Sequence, residues 1–184
     1  MKYIKVIKAI EFAAESHANQ KRKGKNQTPY INHPIKVVSM LAKYGESDPD
    51  LLAAAALHDV IEDTASGKAA IDTLANQIKN IFGEKVLGIV REVSDDKSLP
   101  YEERKRLQIV HTSTLSSSAK KIKIADKISN ILDLMEDPPE NWPKSRKIRY
   151  VEWAKKVIEE SRGVNSSLEN YFDEVIKKTH ISFY

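Results

Sequence analysis

The stretch LLAAAALHDVIEDT, residues 51–64, joins a seven-residue apolar run to four side chains that bind metals or handle protons: His58, Asp59, Glu62 and Asp63. Residues three and four positions apart are neighbours on an α-helix, so one continuous helix is expected to present all four on one face. Burying carboxylates is costly unless they are paired or bind a metal. The stretch therefore predicts a core-facing helix that carries a metal site and an adjacent acid/base pair.

Helical periodicity continues on both sides of this stretch. Apolar residues recur at three- and four-residue spacing within residues 2–18, 35–42, 71–81, 86–93, 122–132, 153–157 and 168–175. Gly45 and Gly83 are expected to end helices. Asp48 followed by Pro49 is typical of an N-cap and a first helical residue. We therefore expect an all-α helical bundle of about eight to ten helices, with at most one short β-hairpin, at residues 25–31.

Composition narrows the class of protein. The 184 residues suit a single domain, and a net charge of +4, from 30 basic and 26 acidic residues, favours anionic small molecules over duplex DNA as partners. The absence of cysteine excludes disulfides, a thiolate zinc site and a cysteine nucleophile. We expect a cytoplasmic protein without a signal peptide, membrane span or nucleic-acid partner, and the sequence leaves the oligomeric state open.

Two further residues extend the candidate metal site. His33 lies in TPYINHP, at the start of a predicted helix, and Asp126 lies in KIADKISN, beside the buried stripe of another. Together with His58 and Asp59 they form a mixed imidazole and carboxylate set. Such a set suits Mn²⁺, Fe²⁺ or Zn²⁺.

The order of these motifs resembles the HD phosphohydrolase superfamily. QKRK at residues 20–23, TPYINHP at 28–34, LHDVIEDT at 57–64 and KIADKISN at 123–130 are similar to the hydrolase domain of the RelA/SpoT family. The similarity covers nearly the whole chain, as in the stand-alone branch, the small alarmone hydrolases of the Mesh1 type. It implies a single HD domain over residues 1–184.

The resemblance also assigns roles to residues. It implies one Mn²⁺, with other divalent metals left open, and metal ligands at His33, His58, Asp59 and Asp126. Glu62 and Asp63 match the catalytic pair that orients and deprotonates the attacking water.

The substrate contacts implied by the resemblance are less specific. Arg22 and Lys23 match positions that contact the nucleotide, and Asn130 matches an asparagine expected to contact ribose or base. Lys97 is a candidate contact to the diphosphate. Arg104 and Lys105, in a highly charged helix, are further candidates for that role, and each of the three is explained equally well by ordinary surface charge.

The implied activity is hydrolysis of the 3′-diphosphate of (p)ppGpp, the alarmone of the stringent response, to GDP or GTP and pyrophosphate. Ligand spacing leaves two alternatives open. One is an NADPH 2′-phosphatase or another nucleotide phosphohydrolase, and the other is a nucleotide-binding regulatory module without catalysis. Both alternatives keep a small nucleotide as the partner.

Overall fold

Ten α-helices follow one another in residues 2–183, the part of the chain that the computed structural model describes. They are α1 (Lys2–Ser16), α2 (Asn32–Lys43), α3 (Pro49–Leu57), α4 (Val60–Thr64), α5 (Lys68–Phe82), α6 (Glu84–Val93), α7 (Tyr101–Thr112), α8 (Ser117–Glu136), α9 (Lys144–Glu159) and α10 (Ser166–Phe183). Within these residues there is no strand, and the expected hairpin is reduced to one antiparallel bridge between Lys21 and Pro29. The all-α prediction is confirmed.

Local chemistry sets several helix ends where the sequence predicts them. The Asp48 carboxylate accepts a hydrogen bond of 2.9 Å from the backbone N–H of Asp50, and Pro49 is the first residue of α3. Gly83 separates α5 from α6 with a φ of +96°, a conformation that a side chain would strain.

The core is built around α3 and α8. Every residue of Leu51–Leu57 is buried, and α3 packs against α1, α2 and α6. The middle of α8 is likewise buried and packs against α2, α6 and α10. Part of the predicted site thus lies directly after α3 and part in the middle of α8, and the packing of these two helices fixes their relative positions. None of the described helices has the length and hydropathy needed to cross a membrane.

The single continuous helix expected over residues 51–64 is wrong. Helix α3 ends at Leu57, His58 and Asp59 form a turn, and α4 begins at Val60. On a continuous helix two successive side chains point roughly 100° apart and do not face each other. The turn removes this restriction, so the His58 and Asp59 side chains meet, with Nε2 3.1 Å from Oδ2.

Replacing Asp48 by alanine should lower the free energy of unfolding by about 1 kcal/mol, because the first turn of α3 loses its side-chain acceptor. Urea denaturation followed by circular dichroism measures this change. Asp72→Ala, at an exposed position of α5, is the control and should change stability by less than about 0.5 kcal/mol. Equal midpoints for the Asp48 variant and the wild type would contradict the capping role.

Candidate metal centre and substrate cavity

The four predicted metal ligands converge from separate segments. His33 comes from the first turn of α2, His58 and Asp59 from the turn between α3 and α4, and Asp126 from the middle of α8. His33 Nε2 lies 3.2 Å from Asp126 Oδ1 and 3.6 Å from Asp59 Oδ2. Ligand atoms of His33, His58 and Asp126 all lie within 4.8 Å of one another. Three of the four predicted ligands therefore surround one point, and Asp59, which lies outside this group of three, contacts both imidazoles.

The two imidazoles are oriented by hydrogen bonds on their far sides. His58 Nδ1–H donates to the carbonyl of Ala55 at 2.8 Å, and His33 Nδ1 lies 3.0 Å from Ser129 Oγ. His58 is only 4% exposed, and its Nε2 makes no hydrogen bond of acceptable geometry. A buried nitrogen without a hydrogen-bond partner, facing two carboxylates, is the arrangement of a metal ligand, so the donor set fits a divalent cation.

The electrostatics of the cluster favour a positive charge at its centre. Burial alone would lower the pKa of His58, but the carboxylates of Asp59 and Asp126 outweigh it and raise that pKa to about 9. Burial would raise the pKa of Asp59, yet the neighbouring His58 and His33 lower it. In the absence of a metal, a proton on His58 would balance the carboxylates. A bound cation would replace that proton, so metal binding would release it.

The acidic pair lies beside this cluster in two different environments. Glu62 accepts a hydrogen bond of 2.9 Å from the backbone N–H of Asp95, and its pKa is raised to about 7 by burial and by the carboxylates of Asp59 and Asp95. Asp63 accepts hydrogen bonds from Gln20 and from Lys97. Glu62 thus has the pKa of a proton acceptor at neutral pH, while Asp63 is held in place.

A cavity of about 720 Å³ is lined by all ten residues that the sequence singled out. Its size suits a nucleotide. The structure brings the metal ligands, the acidic pair and the candidate substrate contacts to one surface. Lys97 and Asp63, which both line the cavity, form an ion pair with each other.

Arg22 forms a fixed planar surface on one side of this cavity. Its Nε and Nη2 donate to Asp133 Oδ2 at 3.1 and 2.8 Å, and Nη2 also donates to Asn130 Oδ1 at 2.6 Å. The guanidinium carbon lies 5.4 Å from the centroid of the Tyr30 ring. Asn130 in turn donates to Asp126 Oδ1 at 2.6 Å, so it links Arg22 to a candidate metal ligand.

Several supporting residues were missed by sequence reasoning. The Tyr30 hydroxyl donates to Asp59 Oδ2 at 2.7 Å, and Lys127 Nζ donates to Asp126 Oδ2 at 2.7 Å. Asp133 holds both Arg22 and Lys36. Tyr30 and Lys127 lie within the motifs TPYINHP and KIADKISN, and Asp133 follows Asn130 by three positions on the helix face of Asp126, but these positions did not indicate the hydrogen bonds that the residues form.

The chain is similar to known proteins over most of its length. A family model described as an HD domain matches residues 9–154. The chain is 42% identical over 175 residues to guanosine-3′,5′-bis(diphosphate) 3′-pyrophosphohydrolase MESH1 of Drosophila melanogaster, covering 95% of this chain and 94% of that protein. It is 41% identical over 174 residues to the Homo sapiens protein of the same name, covering 94% and 93% of the two chains.

Solved structures show the same relationship. One, described as a metazoan orthologue of SpoT that hydrolyses ppGpp and plays a role in starvation responses, matches with a TM-score of 0.87 and 41% identity over 95% of each chain. Another, from Listeria monocytogenes EGD-e, matches with a TM-score of 0.62 and 24% identity, covering 79% of this chain and 96% of that one. The second similarity concerns the fold alone.

The Glu62 carboxyl group should titrate with a pKa of about 7 in the metal-free protein. Adding a divalent cation should move that pKa downward, because a nearby positive charge favours the carboxylate. A ¹³C NMR titration of glutamate-labelled protein measures both values, with Zn²⁺ as the diamagnetic ion and Glu62→Gln to assign the signal. A pKa close to the ordinary 4.5 in the metal-free protein would contradict this description of the site.

Proposed function

This chain belongs to the HD-domain family and to its MESH1 branch, and from that premise we propose that it hydrolyses the 3′-diphosphate of ppGpp or pppGpp. The products would be pyrophosphate and GDP or GTP, and residues 1–184 would act as one domain. The name of the Drosophila relative, which aligns over 95% of this chain, supports the proposal.

The observation that carries the proposal is the convergence of four nitrogen and oxygen donors in a cavity of nucleotide size. We assign His33, His58, Asp59 and Asp126 as ligands of a single Mn²⁺, an ion that such mixed donors suit. When bound, the ion lowers the pKa of water and offsets phosphoryl charge. The Tyr30 hydroxyl donates a hydrogen bond of 2.7 Å to Asp59 Oδ2, and a hydrogen bond that orients a ligand in this way supports the assignment.

Glu62 and Asp63 would act on the attacking water. Glu62, whose pKa of about 7 matches neutral pH, accepts its proton, and Asp63, held by Gln20 and Lys97, orients it. The water oxygen then bonds to the phosphorus attached to the ribose 3′ oxygen. The bond between that phosphorus and the 3′ oxygen breaks, pyrophosphate leaves, and the 3′ oxygen takes a proton.

Arg22, Lys23, Lys97 and Asn130 would hold the substrate. The guanidinium plane of Arg22 is fixed by Asp133 and is suited to stacking on a purine base. Lys23 and Lys97 line the same cavity and would offset phosphate charge. Asn130, already within the Arg22 to Asp126 network, would contact ribose or base. The partner is thus a small guanine nucleotide.

The decisive experiment strips the protein with EDTA, reloads it with Mn²⁺ and supplies ppGpp and NADPH separately. We expect pyrophosphate release from ppGpp that depends on Mn²⁺. Orthophosphate from NADPH alone would contradict the proposal and identify a 2′-phosphatase. Nucleotide binding that persists in EDTA, without turnover of either compound, would identify a regulatory module.

Glu62→Gln combined with Asp63→Asn should lower kcat for ppGpp about 100-fold or more, because the water loses its proton acceptor. Metal content, measured by mass spectrometry, should stay at the wild-type level in this variant. Asp126→Ala is the contrasting variant and should lose metal as well as activity. Wild-type rates in the double variant would rule out the assigned roles.

Asp133→Ala should raise KM for ppGpp about tenfold, because Arg22 loses the carboxylate that fixes its plane, while kcat changes little. Steady-state kinetics separate the two parameters. Asp173→Ala, which breaks an aspartate–arginine pair on the surface, is the matched control. An unchanged KM in the Asp133 variant would show that Arg22 needs no anchor.

A further inference from the structure

Three lysines of α7 and α8 line the cavity, and only two of them have an oxygen partner. Lys123 Nζ donates to the carbonyl of Val93 at 2.8 Å, and Lys127 Nζ donates to Asp126 Oδ2 at 2.7 Å. Among residues 3–183, whose side chains the structure describes, Lys105 Nζ forms no hydrogen bond and no ion pair with an oxygen. Its N–H donors are therefore available to a molecule in the cavity.

Aromatic rings hold Lys105 in place. Its Nζ lies 3.2 Å from the centroid of the Trp153 ring, 5.2 Å from that of Tyr150 and 5.4 Å from that of Tyr101. Trp153 Nε1–H also donates to the backbone carbonyl of Lys105 at 3.0 Å. Rings stabilise an ammonium group through their faces but accept few of its hydrogen bonds, so Lys105 is not ordinary surface charge.

A chain of contacts connects Lys105 to the candidate metal centre. Lys127 Nζ also contacts the Trp153 ring, at 4.8 Å from the ring centroid. Lys127 in turn holds Asp126, whose other oxygen lies 3.2 Å from His33 Nε2. Lys105 and the candidate metal ligands line the same cavity, so a phosphate group at the metal centre would lie in the cavity that Lys105 lines.

The charge on Lys105 is incompletely balanced. Burial, and then repulsion from Lys127, lower its pKa to about 7, although the carboxylates of Asp95 and Asp126 partly oppose this. A bound anion would favour the charged ammonium form. The part of the cavity that Lys105 lines therefore suits an anion better than a neutral group.

We propose that Lys105 is a phosphate-binding residue that donates to an oxygen of the pyrophosphate group transferred in the proposed reaction. This inference rests on the proposed function for the identity of the anion. The sequence offers Lys105 only as one of several candidate contacts to the diphosphate. The structure distinguishes it, because two of the rings that position it, those of Tyr150 and Trp153, belong to α9.

The first test uses the wild-type, Mn²⁺-loaded protein, so it does not depend on the folding of a variant. Brief acetic anhydride labelling at pH 7, with and without inorganic pyrophosphate, is followed by peptide mass spectrometry. We expect pyrophosphate to reduce labelling of Lys105 several-fold. Lys85, paired with Asp48 on the surface, is the internal control and should be labelled equally in both samples. Equal labelling of Lys105 with and without pyrophosphate would overturn the inference.

The second test measures the Kd of inorganic pyrophosphate by calorimetry. K105M should weaken binding about 10- to 100-fold, the usual effect of losing a hydrogen bond to a charged group. K105R, which keeps the positive charge, should recover part of that loss, and K85M should bind as the wild type does. A K105M protein with the wild-type Kd would overturn the inference.

The two tests separate this inference from the proposed function. Lys105-dependent pyrophosphate binding without any turnover of ppGpp would refute the function and keep the anion contact. Turnover of ppGpp with a pyrophosphate Kd that is unchanged in K105M would keep the function and refute the role of Lys105.

Discussion

Two largely enclosed carboxylates, those of Asp59 and Asp126, are the constraint on which the rest of the structure depends. A buried carboxylate must be paired or neutralised, and here two of them face the same point. The protein meets this requirement with hydrogen bonds from uncharged side chains and with the positive charge of a lysine. Tyr30 and Asn130 donate hydrogen bonds to them, Lys127 forms an ion pair, and the imidazoles of the cluster take the remaining positions.

This constraint explains why the two carboxylates lie at the end of one well-packed helix, α3, and in the middle of another, α8. Helices α3 and α8 are buried along most of their length, so the segments that carry the ligands cannot separate without exposing apolar surface. The supporting bonds then extend outward to the substrate side, from Asp126 through Asn130 to Arg22 and Asp133. The metal centre and the surface proposed to stack on the base are thus parts of one hydrogen-bonded network.

Much of the fold could be predicted because its signals are local. Helix periodicity, the Asp48 cap and the turn at Gly83 depend on residues that are close in sequence, and the structure places them as predicted. The continuous helix over residues 51–64 failed for the opposite reason. Local propensity favours continuing the helix, whereas convergence with His33 and Asp126, which are distant in the chain, requires the turn at His58 and Asp59.

The sequence by itself determined the helical class and the set of residue types that could bind a metal, since both follow from composition and short spacing. Only the tertiary structure decided the pKa and the contacts of each side chain. Glu62 has a pKa near 7 because of burial and the carboxylates of Asp59 and Asp95, and Lys105 is confined by rings from α7 and α9. Burial and long-range charge set these properties, and neither can be read from the spacing of residues along the chain.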